Sequence, residues 1–345
     1  MTREEEINMV HGAGTHVVLL GAGASYASTL RNPEKYGKAL PLMRNIVEIV
    51  GLEEIVAELP NEVKQYKHDF EKLFTTLCNY REFSEEKSQI ELGVYNYFKE
   101  LELPDEPTIY DYLILSLRSG KDVIATFNWD PFLYQAYVRN GQFTESPGIL
   151  FLHGTVALGY NEIDGTSGPA GYFSKKSFQE WVPTKLLYPV DKKDYNSDPY
   201  IKGQWSGLST RLEDAQRVTI FGYSAPVSDV EAIELLQNAW GTPDQRSMEQ
   251  FEMIDIRPEK DVRQSWNSFI HSHHYNYSSD FFDCSLTNHP RRSVEVYRGW
   301  AMPMTSNDMF PEGNPVPQKV RHLEELWKWF EPLIKVEQEL STTSA

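Results

Sequence analysis

Five short apolar runs punctuate the chain, and each ends on small or polar residues: VVLLGAGAS from Val17, DVIATFNWD from Asp122, GILFLHG from Gly148, VTIFGYSAP from Val218 and FEMIDIRP from Phe251. They alternate with helical stretches, the order of a parallel sheet covered on both faces. Open parallel sheets bind ligands in the crevice outside the carboxyl ends of their strands. A chain that repeatedly sets Gly, Ser, Asn, His and Asp at that edge is suited to a nucleotide.

Between the runs the period changes to helical. Val63, Tyr66, Phe70, Leu73 and Leu77 recur at three- and four-residue steps, which predicts one helix face. FSEEKSQIELGVYNYFKELEL from Phe83 repeats the pattern with an acidic outer face, and TIYDYLILSLR closes a helical block. Helical stretches also follow the second, fourth and fifth strands, as PFLYQAYVR, VSDVEAIELLQNAW and EKDVRQSWNSFI. Strand–helix alternation of this kind predicts an α/β fold: a Rossmann-like parallel sheet with helices on both faces, plus a helical insertion over about 43–118. Residues 1–300 are expected to form that domain, and 301–345 a Pro/Gly-rich linker and a last helix striped by Val320, Leu323, Trp327 and Phe330. Residues 157–197 read as a loop-rich cover over the site, and HSHHYNYSSDFFDC from His271 as a polar loop.

Composition narrows the choice of partner. The 345 residues carry 33 basic against 50 acidic side chains, a net charge of −17, which argues against direct nucleic-acid binding. Only two cysteines, Cys78 and Cys284, are present, so neither a disulfide framework nor a four-cysteine zinc site can be built. The acidic start MTREEEINMV has no signal-peptide pattern, and no run reaches the length of a membrane span. A cytoplasmic protein without membrane contact is the expectation.

GAGAS, Gly21–Ala22–Gly23–Ala24–Ser25, follows a strand and precedes SYASTL, which can start a helix. Glycines let backbone N–H groups approach a phosphate, and a helix N-terminus adds positive potential; a tight turn with no ligand has the same look. HGAG at residues 11–14 comes before the strand and is set aside. Asn128 can hold a ribose hydroxyl or a water without competing for protons. It can equally cap the next helix, and Asp130 before Pro131 suits that task better. His153, at the mouth of a strand and followed by Gly154, is a candidate general base, with a backbone-bonded histidine as the plain alternative. Ser224 in GYSAP, beside Gly222 and Tyr223, lacks the second glycine of a nucleophile elbow, so a serine hydrolase is excluded. Asp255 falls where an acidic residue can hold an adenosine ribose. His271, His273, His274, Asp280, Asp283 and Cys284 match no zinc spacing, and no metal is expected.

The order of the motifs is more specific than any one of them. GAGAS, then Thr126-x-Asn128-x-Asp130, then His153-Gly154, then Gly222-x-Ser224 resembles the sirtuin family over roughly residues 16–260. LPLMR, with Pro41 and Arg44, looks like that family's P-D-F-R loop with Leu42 in place of the aspartate. The resemblance implies that Gly21 to Ser25 cradle the NAD+ diphosphate with help from Gly222 and Ser224. It implies that Asn128 and His153 are catalytic, and that Thr126, Asp130, Tyr223 and Asp255 contribute ribose or supporting contacts. Family deacylases carry a four-cysteine zinc module that this chain cannot make. The zinc-less, helix-inserted pattern looks more like bacterial sirtuin-like NADases of antiphage defence, which cleave NAD+ to nicotinamide and ADP-ribose. Those proteins are commonly homo-oligomers, some paired with a HerA-type ATPase or another activating partner. The expected activity is therefore NAD+ glycohydrolysis. The alternatives are a non-catalytic NAD or ADP-ribose sensor that recruits a partner, and an NAD-dependent protein deacylase. An ordinary dehydrogenase is disfavoured, since Ser25-Tyr26 breaks the full G-x-G-x-x-G.

Overall fold

The computed structural model describes residues 1–10, 14–30, 33–190, 193, 195–225, 229–246, 249–271, 275–301 and 312–343. Its strands are β1 (Thr15–Leu20), β2 (Val123–Thr126), β3 (Gly148–Phe151), β4 (Leu158–Asn161), β5 (Thr166–Pro169), β6 (Val182–Pro183), β7 (Ala215–Phe221), β8 (Gln250–Ile254) and β9 (Tyr275–Ser278). Six of them form one parallel sheet in the order β3-β2-β1-β7-β8-β9. The chain builds outward from β1 in one direction, then returns to its other side and builds the opposite way from β7. The strand order reverses between β1 and β7, which is the topological switch point of a doubly wound sheet.

Helices cover both faces. After α1 (Arg3–Asn8) and α2 (Ala22–Leu30), the insertion contributes α3 (Ile46–Val50), α4 (Glu53–Glu58), α5 (Asn61–Lys64), α6 (Phe70–Leu77), α7 (Ser84–Lys99) and α8 (Ile109–Leu115). Then come α9 (Phe132–Asn140), α10 (Pro199–Glu213), α11 (Val230–Trp240), α12 (Glu259–Ser265), α13 (Ser285–Asn288), α14 (Ser293–Val296) and α15 (Leu323–Thr343). Successive residues of β1 feed opposite cores. Val18 and Leu20 pack with the insertion and α15, whereas Val17 and Leu19 pack with α10, α11 and α12. Both faces of the strand are dry, which is why its apolar run does not alternate.

The predicted strands and the insertion are present, with three corrections. The single helix read across Val63–Leu77 is two helices, because Asp69 caps α6 by accepting from the Lys72 amide at 3.2 Å and ends the preceding turn. The loop-rich cover contains an antiparallel sheet in the order β5-β4-β6, packed on Trp181, whose ring leaves no room for a side chain at Gly168. The stretch read as a polar loop from His271 contains β9, an edge strand whose half-buried Tyr and Asn positions hide its strand character; His273 and His274 lie outside the described residues. The stripe on α15 is core: Phe330 is fully buried, and Trp327 stacks on Phe143 with ring centroids 5.5 Å apart. Most of the linker, residues 302–311, lies outside the described residues.

Candidate functional site

At the switch point two backbone turns meet without side chains between them. Gly21 N donates to Phe221 O at 3.0 Å and Gly23 N to Gly222 O at 2.9 Å. A Cβ on Gly21 would lie 2.5 Å from Tyr223 Cα, and one on Gly222, where φ is +62°, would lie 2.3 Å from Ala24 N. Both contacts are shorter than any side chain tolerates, so the glycines are required by this approach. The α2 helix begins at Ala22, inside GAGAS, so the expected phosphate loop is itself the first helical turn. Ala24 N is used by Gly21 O at 2.9 Å, and the Ala24 side chain lies in the core. The exposed Ala22 is the part of the turn that faces outward.

Behind this turn sits a buried polar cluster. Ser25 Oγ donates to Asp130 Oδ2 at 2.7 Å and lies 2.6 Å from Tyr110 Oη. Asn128 Nδ2 donates to Gly21 O and Ser25 Oγ, each at 2.9 Å, and its backbone N–H is held by Thr126 Oγ1 at 3.0 Å. The second oxygen of Asp130 accepts from Phe132 N, the first amide of α9, at 3.2 Å, although the N-cap position itself is Pro131, not Asp130 as one reading of the sequence had it. Burial pushes the Asp130 carboxyl up to about 6 and the Tyr110 hydroxyl well above its ordinary value. With its amide nitrogen spent inward, Asn128 has its carbonyl oxygen Oδ1 without a protein partner among the described residues.

A cleft of about 300 Å³ opens in front of this cluster, bordered by Gly21, Ala22, Ser25, Asn128, Asp130, His153, Gly222, Tyr223 and Ser224. His153 is 6% exposed; its Nε2 lies 3.0 Å from Tyr195 Oη, and its ring meets Phe127 edge-on at 4.9 Å. Burial, and secondarily the charge on Lys193, hold its imidazole well below the ordinary histidine value. Phe127 in turn stacks on Tyr223 at 4.0 Å, and Tyr223 Oη donates to Asp229 Oδ2 at 2.8 Å. Gly154 at φ +76° lets residues 184–187 pass directly over the histidine, with Leu187 N donating to His153 O at 2.9 Å.

A second cavity, about 730 Å³, continues on the other side of the glycine contact. The two share Leu42, Met43, Gly222 and Ser224 as walls. Asp255 lies here, at the end of β8, but its carboxylate is gripped by Arg257 through Nε at 3.1 and 3.2 Å and Nη2 at 2.7 Å. Arg44 borders the same cavity, exposed and 6.0 Å from the Tyr26 ring. Thr126 and Ala24 border neither cavity: Thr126 holds the Asn128 amide from behind and Ala24 lies in the core. Among the described residues no group of three or more His, Cys, Asp or Glu side chains is placed to hold a metal. No described helix is long and apolar enough to cross a membrane.

The sequence reading missed Tyr110, Tyr195, Lys193 and Asp229. Tyr110 lies in an apolar helical run and Tyr195 in a polar loop, so neither carries a local signal; contact with the site is made only by folding.

No family model matches the chain, and no curated protein matches it. Solved structures similar to it include a Sir2 homologue in complex with NAD, 13% identical, with a TM-score of 0.42 over 87% of this chain and 95% of that one. Another, described as the structural basis of sirtuin substrate affinity, is 14% identical with a TM-score of 0.41 over 86% and 99%. A Sir2 protein bound to an acetylated peptide is 12% identical, with a TM-score of 0.38 over 87% and 97%.

Proposed function

We propose that this protein is an NAD+ glycohydrolase that cleaves the nicotinamide–ribose bond to give nicotinamide and ADP-ribose. The observation that carries the reading is that Asn128 and His153 border one cleft at the switch point of a doubly wound sheet, beside the glycine turn. In this reaction the C1′–N bond breaks, its electron pair stays with the ring nitrogen, and nicotinamide leaves neutral. Water adds its oxygen to C1′ and gives up a proton. His153, kept uncharged by burial, accepts that proton or one from a ribose hydroxyl. Asn128 Oδ1, the one face of its amide not spent on the protein, holds the water or the ribose. Ser25, Asp130 and Tyr110 fix the amide so that it does not turn, which is positional preorganisation. Ala22, Gly222 and Ser224 line the passage for the diphosphate, with Arg44 as its nearby cation and Asp255 at the ribose end.

The wider reading belongs to the same proposal: a cytoplasmic antiphage effector that depletes NAD+ when activated, working as a homo-oligomer with a HerA-type ATPase or another activating partner. Its support is the order of the motifs together with a chain that has no four-cysteine module.

Chromatography of products after incubation with NAD+ tests the chemistry. Nicotinamide plus ADP-ribose from the parent, and none from Asn128→Ala or His153→Ala, is the expected outcome. Each variant should lose about 10²–10⁴-fold in kcat while remaining folded. Transfer of an acyl group from an acylated peptide would instead identify a deacylase. Tight NAD+ binding without turnover, with candidate partners present, would identify a sensor. Equal cleavage by the parent and both variants would overturn the site.

A further inference from the structure

One wall of the second cavity is an ion pair built into a turn. The carbonyl of Ile254, the last residue of β8, accepts from Gly222 N at 2.9 Å, so Asp255 stands directly beside the Gly222 turn. Its carboxylate is nearly used up. Oδ1 accepts from Arg257 N at 2.9 Å and from Arg257 Nε at 3.1 Å; Oδ2 accepts from Nη2 at 2.7 Å and shares Nε at 3.2 Å. Oδ1 is thereby filled, whereas Oδ2 keeps one direction for a further donor. Tyr277 Oη, from β9, lies 2.8 Å from Asp255 O and 2.6 Å from Arg257 O and fastens the turn at both ends. Arg257 Nη1 has no protein partner among the described residues. The same cavity is bordered by a second carboxylate, Asp280, and a second cation, Arg44.

We propose that Asp255 and Arg257 form a selectivity lock: Asp255 withholds Arg257 from a phosphate, so that the cavity takes a dinucleotide with a free adenosine 2′-hydroxyl and rejects its 2′-phosphorylated form, NADP+. The inference rests on the nucleotide-hydrolase reading of the adjoining cleft, whose substrate class it narrows. An acidic residue at a strand end beside a glycine turn is placed to accept from a ribose hydroxyl. The open direction on Oδ2 takes that hydroxyl. A phosphate monoester at the same position offers no such donor and sets about −1.5 to −2 charges against the carboxylate at pH 7. The guanidinium that would welcome it is already committed. Its Nε–Nη2 edge, the fork that grips an oxyanion through two parallel bonds, is turned onto Asp255. Only Nη1 is left, without the fork. Asp255 thus acts twice, as acceptor for the hydroxyl and as the group that occupies Arg257. Both are specificity residues and take no part in bond cleavage.

Calorimetry with ADP-ribose and with 2′-phospho-ADP-ribose reads the selectivity without turnover. The parent should bind ADP-ribose at least ~100-fold more tightly than the 2′-phosphate. Asp255→Ala removes the acceptor and frees the guanidinium. It should bring the two affinities to within about tenfold, chiefly by tighter binding of the phosphate. Adding Arg257→Gln to Asp255→Ala should weaken the phosphate again and leave ADP-ribose where the single variant left it. The ratio of kcat/KM for NAD+ and NADP+ should follow the same order. Equal affinities in the parent, which needs no variant to fold, would overturn the lock and leave the nucleotide reading standing. A parent-like ratio in Asp255→Ala would overturn it too. If the parent binds neither compound and cleaves neither nucleotide, the hydrolase reading fails and the lock falls with it.

Discussion

Among the buried ionic groupings of the described residues, two are built to different standards. Under α15, Glu337 accepts from Arg291 Nη2 at 2.6 Å and from Arg292 Nη1, while Arg291 also donates to Leu115 O and Leu117 O at 3.0 and 2.9 Å. Glu295 beside them accepts from Arg118 and Lys121, each at 2.8 Å. In the cleft, one ammonium meets one carboxylate. The first grouping spreads rigid guanidinium forks over carboxylates and backbone carbonyls, so no single thermal excursion frees the helix. The second depends on a flexible lysine that sits near its own titration range. A redundant clamp keeps its helix docked when any one contact is lost, whereas the lone ammonium–carboxylate pair, Lys193 with Asp229, has no second cation on its carboxylate among the described residues.

The largest effect that would separate them is Glu337→Ala. It strands two buried guanidiniums and should cost about 3–5 kcal/mol in urea denaturation; Lys193→Met should cost much less stability, because a methionine stem can still pack there. Similar losses for both would erase the distinction. Next comes Asp130→Asn. Asp130 is raised to about 6 in the folded chain and titrates near 4 when unfolded. Between those values the folded state binds the extra proton, so stability declines as pH rises from about 4 to 6. The asparagine variant should lack about 2 kcal/mol of that decline, read from denaturation midpoints at both ends of the window. The smallest is Arg3→Ala. It removes a guanidinium 3.7 Å from the Trp329 ring and its 2.8 Å bond to Trp329 O, and should cost about 1 kcal/mol or less. A loss exceeding that of Glu337→Ala would mean that α1 carries more of the helix docking than the Glu337 grouping does.

The glycine end of the site was legible in the sequence, and the covering end was not. Gly21, Gly23 and Gly222 serve through what they lack, and a missing side chain after an apolar run is visible in one dimension. Asn128 and His153 were visible as polar residues placed just past apolar runs. Asp255 was legible as a position, yet its engagement by Arg257 was not, because Arg257 could as well have turned outward. The Ser25–Tyr110–Asn128–Asp130 cluster mixes residues from the first strand turn, the insertion and the second strand turn, which no local period connects.

What the sequence determined by itself, then, is whatever follows from covalent neighbours and short periods: strands that are apolar on both faces, helices between them, and backbone turns that only glycine permits. The burial of α15, the small sheet beyond His153 and the pairing of Lys193 with Asp229 were decided by tertiary structure. Those depend on which surfaces remain uncovered once the sheet has formed, and on charges far apart in sequence being left together without water.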